Sequence, residues 1–342
     1  MPRVTIGMPV YNSDSAYFRA ALASLLGQSF GDFELLISDN GSGPEAEALY
    51  RDAAKLDRRV RYIRHATNRG SAFNFNYLVE AASSEYLLWA ADDDLRHPDY
   101  LTRTTNLLDS HAEAVAAASE VATIDADGQP LWHCPMERAD SPRVWRRLAA
   151  LVSPFNCYDI YALHRLEALR KTRLFRVAPA PDILLLQELL VQGSIQRVPE
   201  ELCFYRVNLA QDRLHVYARV AGREDLPFDI VYLRRDVGLR LLGAILRSTA
   251  LHWPIRWVCV VAVLQKLLRE EWLTRERREV LNAQIKESFL RGQRLRAAFG
   301  FAEYLLLSPL APLRRSFWRA LRAARADIGQ RGGSPQAPGP HK

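Results

Sequence analysis

Cysteine is scarce in this chain and never clustered. The four present, Cys134, Cys157, Cys203 and Cys259, form no C-x-x-C pair and stand far apart. That spacing argues against a zinc site and a disulfide framework, and it suits a reducing, cytoplasmic compartment. No charged n-region, apolar h-region and cleavage site precede the run Val4 to Val10, so no signal peptide is expected. Long apolar stretches are missing as well. The longest uncharged apolar run toward the end is Trp257 to Leu264, far short of the roughly 20 residues that span a bilayer. There is no internal repeat, and no Gly-rich basic loop follows the first β-rich run, where Tyr11-Asn12-Ser13-Asp14 stands instead.

What is present is a chain of 342 residues, enough for one large domain with an appendage. Its charge is uneven. Residues 1–250 hold 29 Lys and Arg against 32 Asp and Glu, a net −3, whereas residues 251–342 hold 17 against 7, a net +10. A mildly acidic body with a basic appendage points to an anionic partner for the appendage, such as a lipid head group or a phosphorylated carrier. Nucleic acid would produce the same bias, but no strand interleaves aromatic and basic residues, so no nucleic-acid partner is expected.

Over the first 125 residues, strand and helix patterns alternate. Val4 to Val10, Phe33 to Ser38, Val60 to Arg64 and Tyr86 to Ala90 read as strands. Between them, Phe18, Ala21, Leu22, Leu25 and Leu26 mark one helix, and Glu45 to Leu56 and Phe73 to Ala82 two more. Such alternation predicts a parallel, doubly wound sheet, whose ligands bind beyond the carboxyl ends of the strands. Tyr11-Asn12, Asp39-Asn40 and Asp92-Asp93-Asp94 all fall at such ends. Further on, Val115 to Ile124, Ile160 to Leu163, Ile195 to Val198 and Leu202 to Val207 read as strands, and Asp182 to Gln192 as a helix. Helical patterns dominate around 229–247 and 255–287, and residues 329–342 have a disordered composition. The expected divisions are 1–210, a ligand-binding and catalytic domain, 211–328, a helical region, and 329–342, a tail.

Three adjacent carboxylates at the mouth of a cleft repel one another unless a cation joins them. Mg2+ or Mn2+ held by one or two of them, with substrate phosphates completing its shell, would resolve that repulsion. In isolation a solvated turn before a helix starting at His97-Pro98 accounts for the triplet better; the apolar strand Tyr86 to Ala90 places it at a ligand-binding edge and reverses that preference. Asp39 and Asn40 can bond the imide of a pyrimidine or a ribose hydroxyl, or form an Asx turn. Tyr11 can stack on a base or pack internally. Arg69 can meet a phosphate or form a surface salt bridge, and Asn74 and Asn76 can line a site or lie on the surface. Asp182 can act as a general base or as a helix N-cap, and the two roles are compatible.

In order and spacing these segments resemble the family 2 glycosyltransferases of the GT-A fold. Val4 to Asn12 is similar to that family's first strand and P-x-Y-N turn, here Pro9, Tyr11 and Asn12. Gln28 to Ser42 resembles its Q-S-F-x-D-F-E segment and following turn, Asn68-Arg69-Gly70 with Asn74 its N-x-G…N stretch, and Asp92 to Asp94 its D-x-D. Asp182 matches the acidic residue before a helix, and Tyr205-Arg206 the Y-R near the acceptor. The resemblance covers about residues 3–208. It implies an α/β GT-A fold, a Rossmann-like doubly wound and mostly parallel sheet, with a C-terminal helical appendage.

The resemblance also implies a function: an inverting, metal-dependent hexosyltransferase using a UDP- or dTDP-sugar and a glycan or lipid-linked acceptor in cell-surface polysaccharide biosynthesis. Asp182 would be the base, and Asp94 with Asp92 would hold Mg2+ or Mn2+. Tyr11, Asp39 and Asn40 would hold the nucleoside, and Pro9, Asn12, Arg69, Asn74, Asp92, Asp93 and Arg206 would complete the donor site. Two departures stand out. Arg206-Val207-Asn208 replaces the R-x-H of many relatives, and the Q-x-x-R-W of processive synthases is absent. Rival readings are a sugar-nucleotide-binding protein without transfer and a nucleotidyltransferase, although the latter normally carries the Gly-rich loop missing here. Trp253 to Leu268 and Phe299 to Arg319 have apolar faces flanked by Arg, which fits resting on an anionic membrane or packing on the catalytic domain.

Overall fold

The computed structural model describes residues 1–134, 136–151, 154–177, 181–207 and 241–271. The first half alternates as the periodicity predicts: β1 (Val4–Val10), α1 (Ser15–Leu26), β2 (Phe33–Asp39), α2 (Pro44–Leu56), β3 (Val60–Arg64), α3 (Ser71–Ala81) and β4 (Tyr86–Trp89). After the acidic triplet come β5 (Leu95–Arg96), α4 (Tyr100–Ser110), β6 (Ala114–Ile124), β7 (Pro130–His133) and α5 (Val144–Ala150). A 3-10 helix (Pro154–Tyr161), β8 (Leu163–Arg165), α6 (Leu166–Arg170), α7 (Pro181–Gln192) and β9 (Ser194–Arg206) complete the sheet region. Residues 241–247 are helical (α8), and α9 spans Trp253–Glu271.

All nine strands join one sheet in the order β3-β2-β1-β4-β8-β6-β9-β5, with β7 paired to β6. β3, β2, β1 and β4 run parallel, as does the long β6–β9 pair, while β8, β5 and β7 pair antiparallel. Side chains alternate between the two faces. Val4, Ile6, Met8, Leu35, Ile37 and Leu88 meet α1, α2 and α4 on one face; Leu36, Leu87, Trp89, Ala116 and Ala118 meet α3 and α7 on the other. Burial on both faces is why these strands read as nearly unbroken apolar runs.

Leu241, Leu242, Ile245, Cys259, Val260 and Val263 belong to the same core as α3 and α7, within a compact unit running Met1–Leu267. The expected boundary at 210, the rest of the 229–247 and 255–287 patterns, Phe299 to Arg319 and the tail 329–342 lie outside the described residues.

Two local expectations change. Ile195 to Val198 and Leu202 to Val207 are not separate strands but one, β9, interrupted by a bulge. Its register against β6 jumps twice between Ser119 and Val121, leaving Pro199, which has no N–H to donate, Glu200 and Leu202 outside the ladder. Ile160 and Tyr161 end the 3-10 helix rather than start a strand. A fully buried ion pair, Arg197 Nη2 to Asp159 Oδ1 at 2.6 Å, holds that turn against β9 and overrides its local β preference.

Candidate active site

The parallel half of the sheet delivers three polar chain segments to one edge. At the end of β1, Asn12 adopts a left-handed conformation (φ 50°), as Asn tolerates. Its N–H donates to Ser42 Oγ at 2.9 Å, and its Oδ1 accepts from the Gly43 N–H at 2.8 Å, tying this turn to the one after β2. Gly41 (φ 79°) lies so close to the next loop that an added Cβ would meet the Thr67 carbonyl carbon at 2.7 Å, so only glycine fits. Asp14 caps α1, accepting from the Ala16 and Tyr17 N–H groups. Tyr11 remains 49% exposed at the rim, an aromatic face open to a ligand, with Pro9 just behind it in β1 opposite Ser38 of β2.

Asp39 and Asn40 are buried, and their polar atoms are already engaged. Asp39 Oδ1 accepts from the Ser42 N–H at 2.9 Å and Oδ2 from the Tyr62 hydroxyl at 2.8 Å, with Arg64 Nε 3.6 Å away. Asn40 donates to Asn68 Oδ1 and the Gly70 carbonyl and accepts from the Arg69 N–H. Asn74 is buried too, donating to the Ser38 and Val10 carbonyls and accepting from Ser38 Oγ at 2.6 Å. These three side chains frame the strand ends from beneath. Asn76 bonds the backbone of Phe175 in both directions. Arg69 stands in an exposed loop, its guanidinium 3.6 Å from the centre of the Phe73 ring.

The triplet Asp92-Asp93-Asp94 follows β4 directly. Asp92 accepts a hydrogen bond from Ser13 Oγ, joining it to the β1 turn. Asp94 is buried, with Oδ1 accepting from the Arg206 N–H at 2.8 Å and Oδ2 facing no partner. Burial is the main cause that raises all three carboxyls above the ordinary range. Repulsion from the neighbouring aspartate adds to it, taking Asp93 to about 6 and Asp94 to about 7. Arg96, also buried, opposes that rise at both.

Arg206 was expected on the donor, but its guanidinium is taken up by the protein. Nε donates to the Asp93 carbonyl at 2.9 Å and Nη1 to the Asp125 and Ala126 carbonyls, and the group stacks 4.5 Å over the Tyr17 ring. It clamps the triplet to the β6–β7 turn.

A divalent cation fits this edge only in part. Among the described residues, no group of three or more His, Cys, Asp or Glu converges to hold a metal unaided. The unpartnered Asp94 Oδ2 and the mutually repelling carboxylates do suit a cation that takes one or two protein oxygens and completes its shell from a diphosphate.

Asp182 sits in the first turn of α7, after Pro181, and not at the cap. It is half-buried, its Oδ1 accepts from the Ile183 N–H at 2.8 Å, and burial raises its pKa against that hydrogen bond. The 3-10 helix packs against α7, and its Tyr161 lies within electrostatic reach of Asp93, Asp94 and Asp182 alike. That shared neighbour connects the triplet to the start of α7. Sequence reading missed Ser13, Tyr50, Tyr62 and Tyr161. Ser13 lies in a recognised turn, whereas the tyrosines fall on apolar faces that read as packing.

Residues 5–171 match the family model described as Glycosyl transferase family 2. The uncharacterized protein y4gI of Sinorhizobium fredii is 26% identical over 279 residues, 77% of this chain and 29% of that protein. An uncharacterized glycosyltransferase of Haemophilus influenzae is 32% identical over 108 residues, 32% of this chain and 43% of that protein. The chain therefore spans less than half the length of these relatives. Among solved structures, S. aureus TarS 1-349 in complex with UDP-GlcNAc aligns with TM-score 0.58 and 16% identity, covering 83% of this chain and 80% of TarS 1-349. The mannosyltransferase PcManGT from Pyrobaculum calidifontis, in complex with GDP-Man and Mn2+, aligns with TM-score 0.52 and 14% identity, covering 90% of this chain and 86% of that one. At such identities the likeness is one of fold, a GT-A sheet.

Proposed function

The chain belongs to glycosyl transferase family 2 through residues 5–171, and on that premise we propose that it transfers a sugar from a nucleotide-diphosphate donor to an acceptor hydroxyl. The acceptor is a glycan or a lipid-linked molecule, the anomeric carbon inverts, and the setting is cell-surface polysaccharide biosynthesis. One observation carries the reading: the buried, unpartnered Asp94 Oδ2 lies just past β4, at the carboxyl edge of the parallel strands.

In this reading Tyr11 stacks on the base of a UDP- or dTDP-sugar, and Asn12 shapes the turn that receives it. Asp39, Asn40 and Asn74 hold the strand ends in register, Arg69 meets the diphosphate, and Arg206 keeps the triplet in place. Asp182 accepts the proton of the acceptor hydroxyl as that oxygen attacks C1, and the nucleoside diphosphate leaves from the opposite face. Its raised pKa supports this role, because a base nearer neutrality takes the proton with a stronger drive. Mg2+ or Mn2+ bound by Asp94 with Asp92 would neutralise charge on the leaving diphosphate.

The same reading puts the protein on the cytoplasmic face of a membrane. No described helix is long and apolar enough to cross one. α9 buries Cys259, Val260 and Val263 against the core while leaving Trp253 73%, Trp257 56% and Leu264 38% exposed. An exposed Trp stripe in a basic segment supports contact with anionic head groups.

A screen of sugar nucleotides for Mn2+-dependent thermal stabilisation, followed by assay of the stabilising donor for release of its nucleoside diphosphate, tests the function. Stabilisation with release is expected. Stabilisation without transfer or hydrolysis would favour a binding protein, and no stabilisation by any donor would overturn the reading.

A further inference from the structure

Beneath the donor edge lie two tyrosines that no motif singles out. Tyr50, on α2, is fully buried, with its ring edge-on to Phe18 at 5.0 Å and tilted against Tyr62 at 6.3 Å. Its hydroxyl accepts from the Ser13 N–H at 2.9 Å and lies 2.7 Å from Ser13 Oγ. Ser13 Oγ in turn contacts Asp92 Oδ2. The direction of this chain follows from counting protons. A carboxylate only accepts, so the single Ser13 hydroxyl proton points to Asp92, which leaves Ser13 Oγ as an acceptor for the Tyr50 proton, with Ser42 the other hydroxyl in reach of Tyr50. Tyr62 acts likewise on the neighbouring strand end, donating its proton to Asp39 Oδ2 at 2.8 Å.

We propose that Tyr50 and Ser13 are positioning residues for donor binding, a directed hydrogen-bond chain that fixes the Asp92 carboxylate at the cleft mouth. Three adjacent carboxylates would otherwise rotate to separate their charges. Asp92 would then have to be reoriented at a cost each time a donor arrived. Holding it from behind by a neutral hydroxyl adds no charge to the site. The buried ring contacts of Tyr50 make the hydroxyl rigid, so the orientation is built in before binding. This inference rests on the nucleotide-sugar reading above.

The test uses the full chain, UDP and dTDP as probes with Mg2+, calorimetry for Kd and thermal unfolding as a control. Tyr50→Phe keeps the ring and deletes one proton. The expected result is about a fivefold weaker Kd at a temperature where the variant is fully folded, in line with loss of one hydrogen bond between neutral hydroxyls. Ser13→Ala should lose at least as much, and Ser13→Thr should restore binding. Because Tyr50 reaches Asp92 only through Ser13 Oγ, the double variant should bind no worse than Ser13→Ala alone. A Tyr50→Phe Kd within twofold of wild type, or losses that multiply in the double variant, would overturn the chain. A merely structural tyrosine would lower the unfolding temperature and leave Kd unchanged. Wild type binding neither nucleotide would overturn the donor reading and this inference together, whereas wild-type binding with unaffected variants overturns the inference alone.

Discussion

The backbone N–H of Arg206 donates to Asp94 Oδ1 at 2.8 Å, while the guanidinium of the same residue grips the Asp93 carbonyl at 2.9 Å. The end of the last strand thus determines how the acidic triplet leaves β4, 112 residues earlier in the chain. Two distant strand ends are joined into one edge, and the remaining Asp94 oxygen is buried there without a partner. This charged edge is preorganised by a backbone N–H and by a guanidinium bound to three protein carbonyls.

Arg206→Ala should therefore damage the fold as well as the activity. It leaves the Asp93, Asp125 and Ala126 carbonyls without their donor, and the cost should be about 2–4 kcal/mol of stability. Denaturant unfolding measures the loss. Arg206→Lys should recover only part of it, because one ammonium cannot reproduce a fork spanning three carbonyls. Full recovery by lysine would show that charge, and not the fork, is what matters.

Asp94 pits function against stability. A carboxyl whose folded pKa lies above its unfolded value binds protons preferentially in the folded state. Its contribution is thus most favourable at low pH and is lost as pH rises from about 4 through about 7. Without a divalent cation, Asp94→Asn should unfold at a higher temperature than wild type at pH 8, and the gap should close near pH 4. The same variant should lose Mn2+-dependent binding of UDP by calorimetry. Unchanged UDP titration with Mn2+ would remove Asp94 from the metal site.

How far this site could be read in advance depended on what each residue's partners were. β1, β2 and β4 announced themselves because both their faces are covered, and their polar ends could only be at the carboxyl edge. Asp39, Asn40 and Asn74 were visible as polar residues at that edge, but not as buried ones. Position and polarity are written in a sequence, whereas the partners Tyr62, Asn68 and Ser38 come from other elements. Tyr50 was hidden for the opposite reason: on the apolar face of α2 its ring reads as packing, and only the fold brings its hydroxyl to Ser13. The bulge at Pro199 split β9 into two apparent strands because Pro199, Glu200 and Glu201 interrupt its apolar pattern while the chain continues along β6.

Asp182→Asn should separate binding from chemistry. The amide preserves the acceptor for the Ile183 N–H, so α7 should start unchanged and donor Kd should stay within about twofold. Transfer should fall by about 10²–10⁴-fold, the usual contribution of a general base. In the wild type, burial raises the Asp182 pKa, so the rate should decline on the acid side at a pH above the ordinary carboxylate range. Near-normal turnover in the variant would exclude Asp182 as the base.

The last prediction concerns α9. Trp253, Trp257 and Leu264 recur at spacings of four and seven residues, which puts them on one stripe of the helix, beside the face that buries Cys259, Val260 and Val263. Packing on the domain therefore does not exclude contact with a membrane, because it leaves a different face of the same helix exposed. The full chain should co-sediment with vesicles containing phosphatidylglycerol more than with pure phosphatidylcholine, and high salt should reduce the difference because residues 251–342 carry a net +10. Trp253→Ala with Trp257→Ala should cut sedimentation several-fold by removing interfacial aromatic area, while release of nucleoside diphosphate from a soluble donor stays unchanged. If sedimentation is the same with and without the two tryptophans, the stripe serves another partner. If light scattering shows that the double substitution turns a dimer into a monomer, that partner is a second copy of the chain.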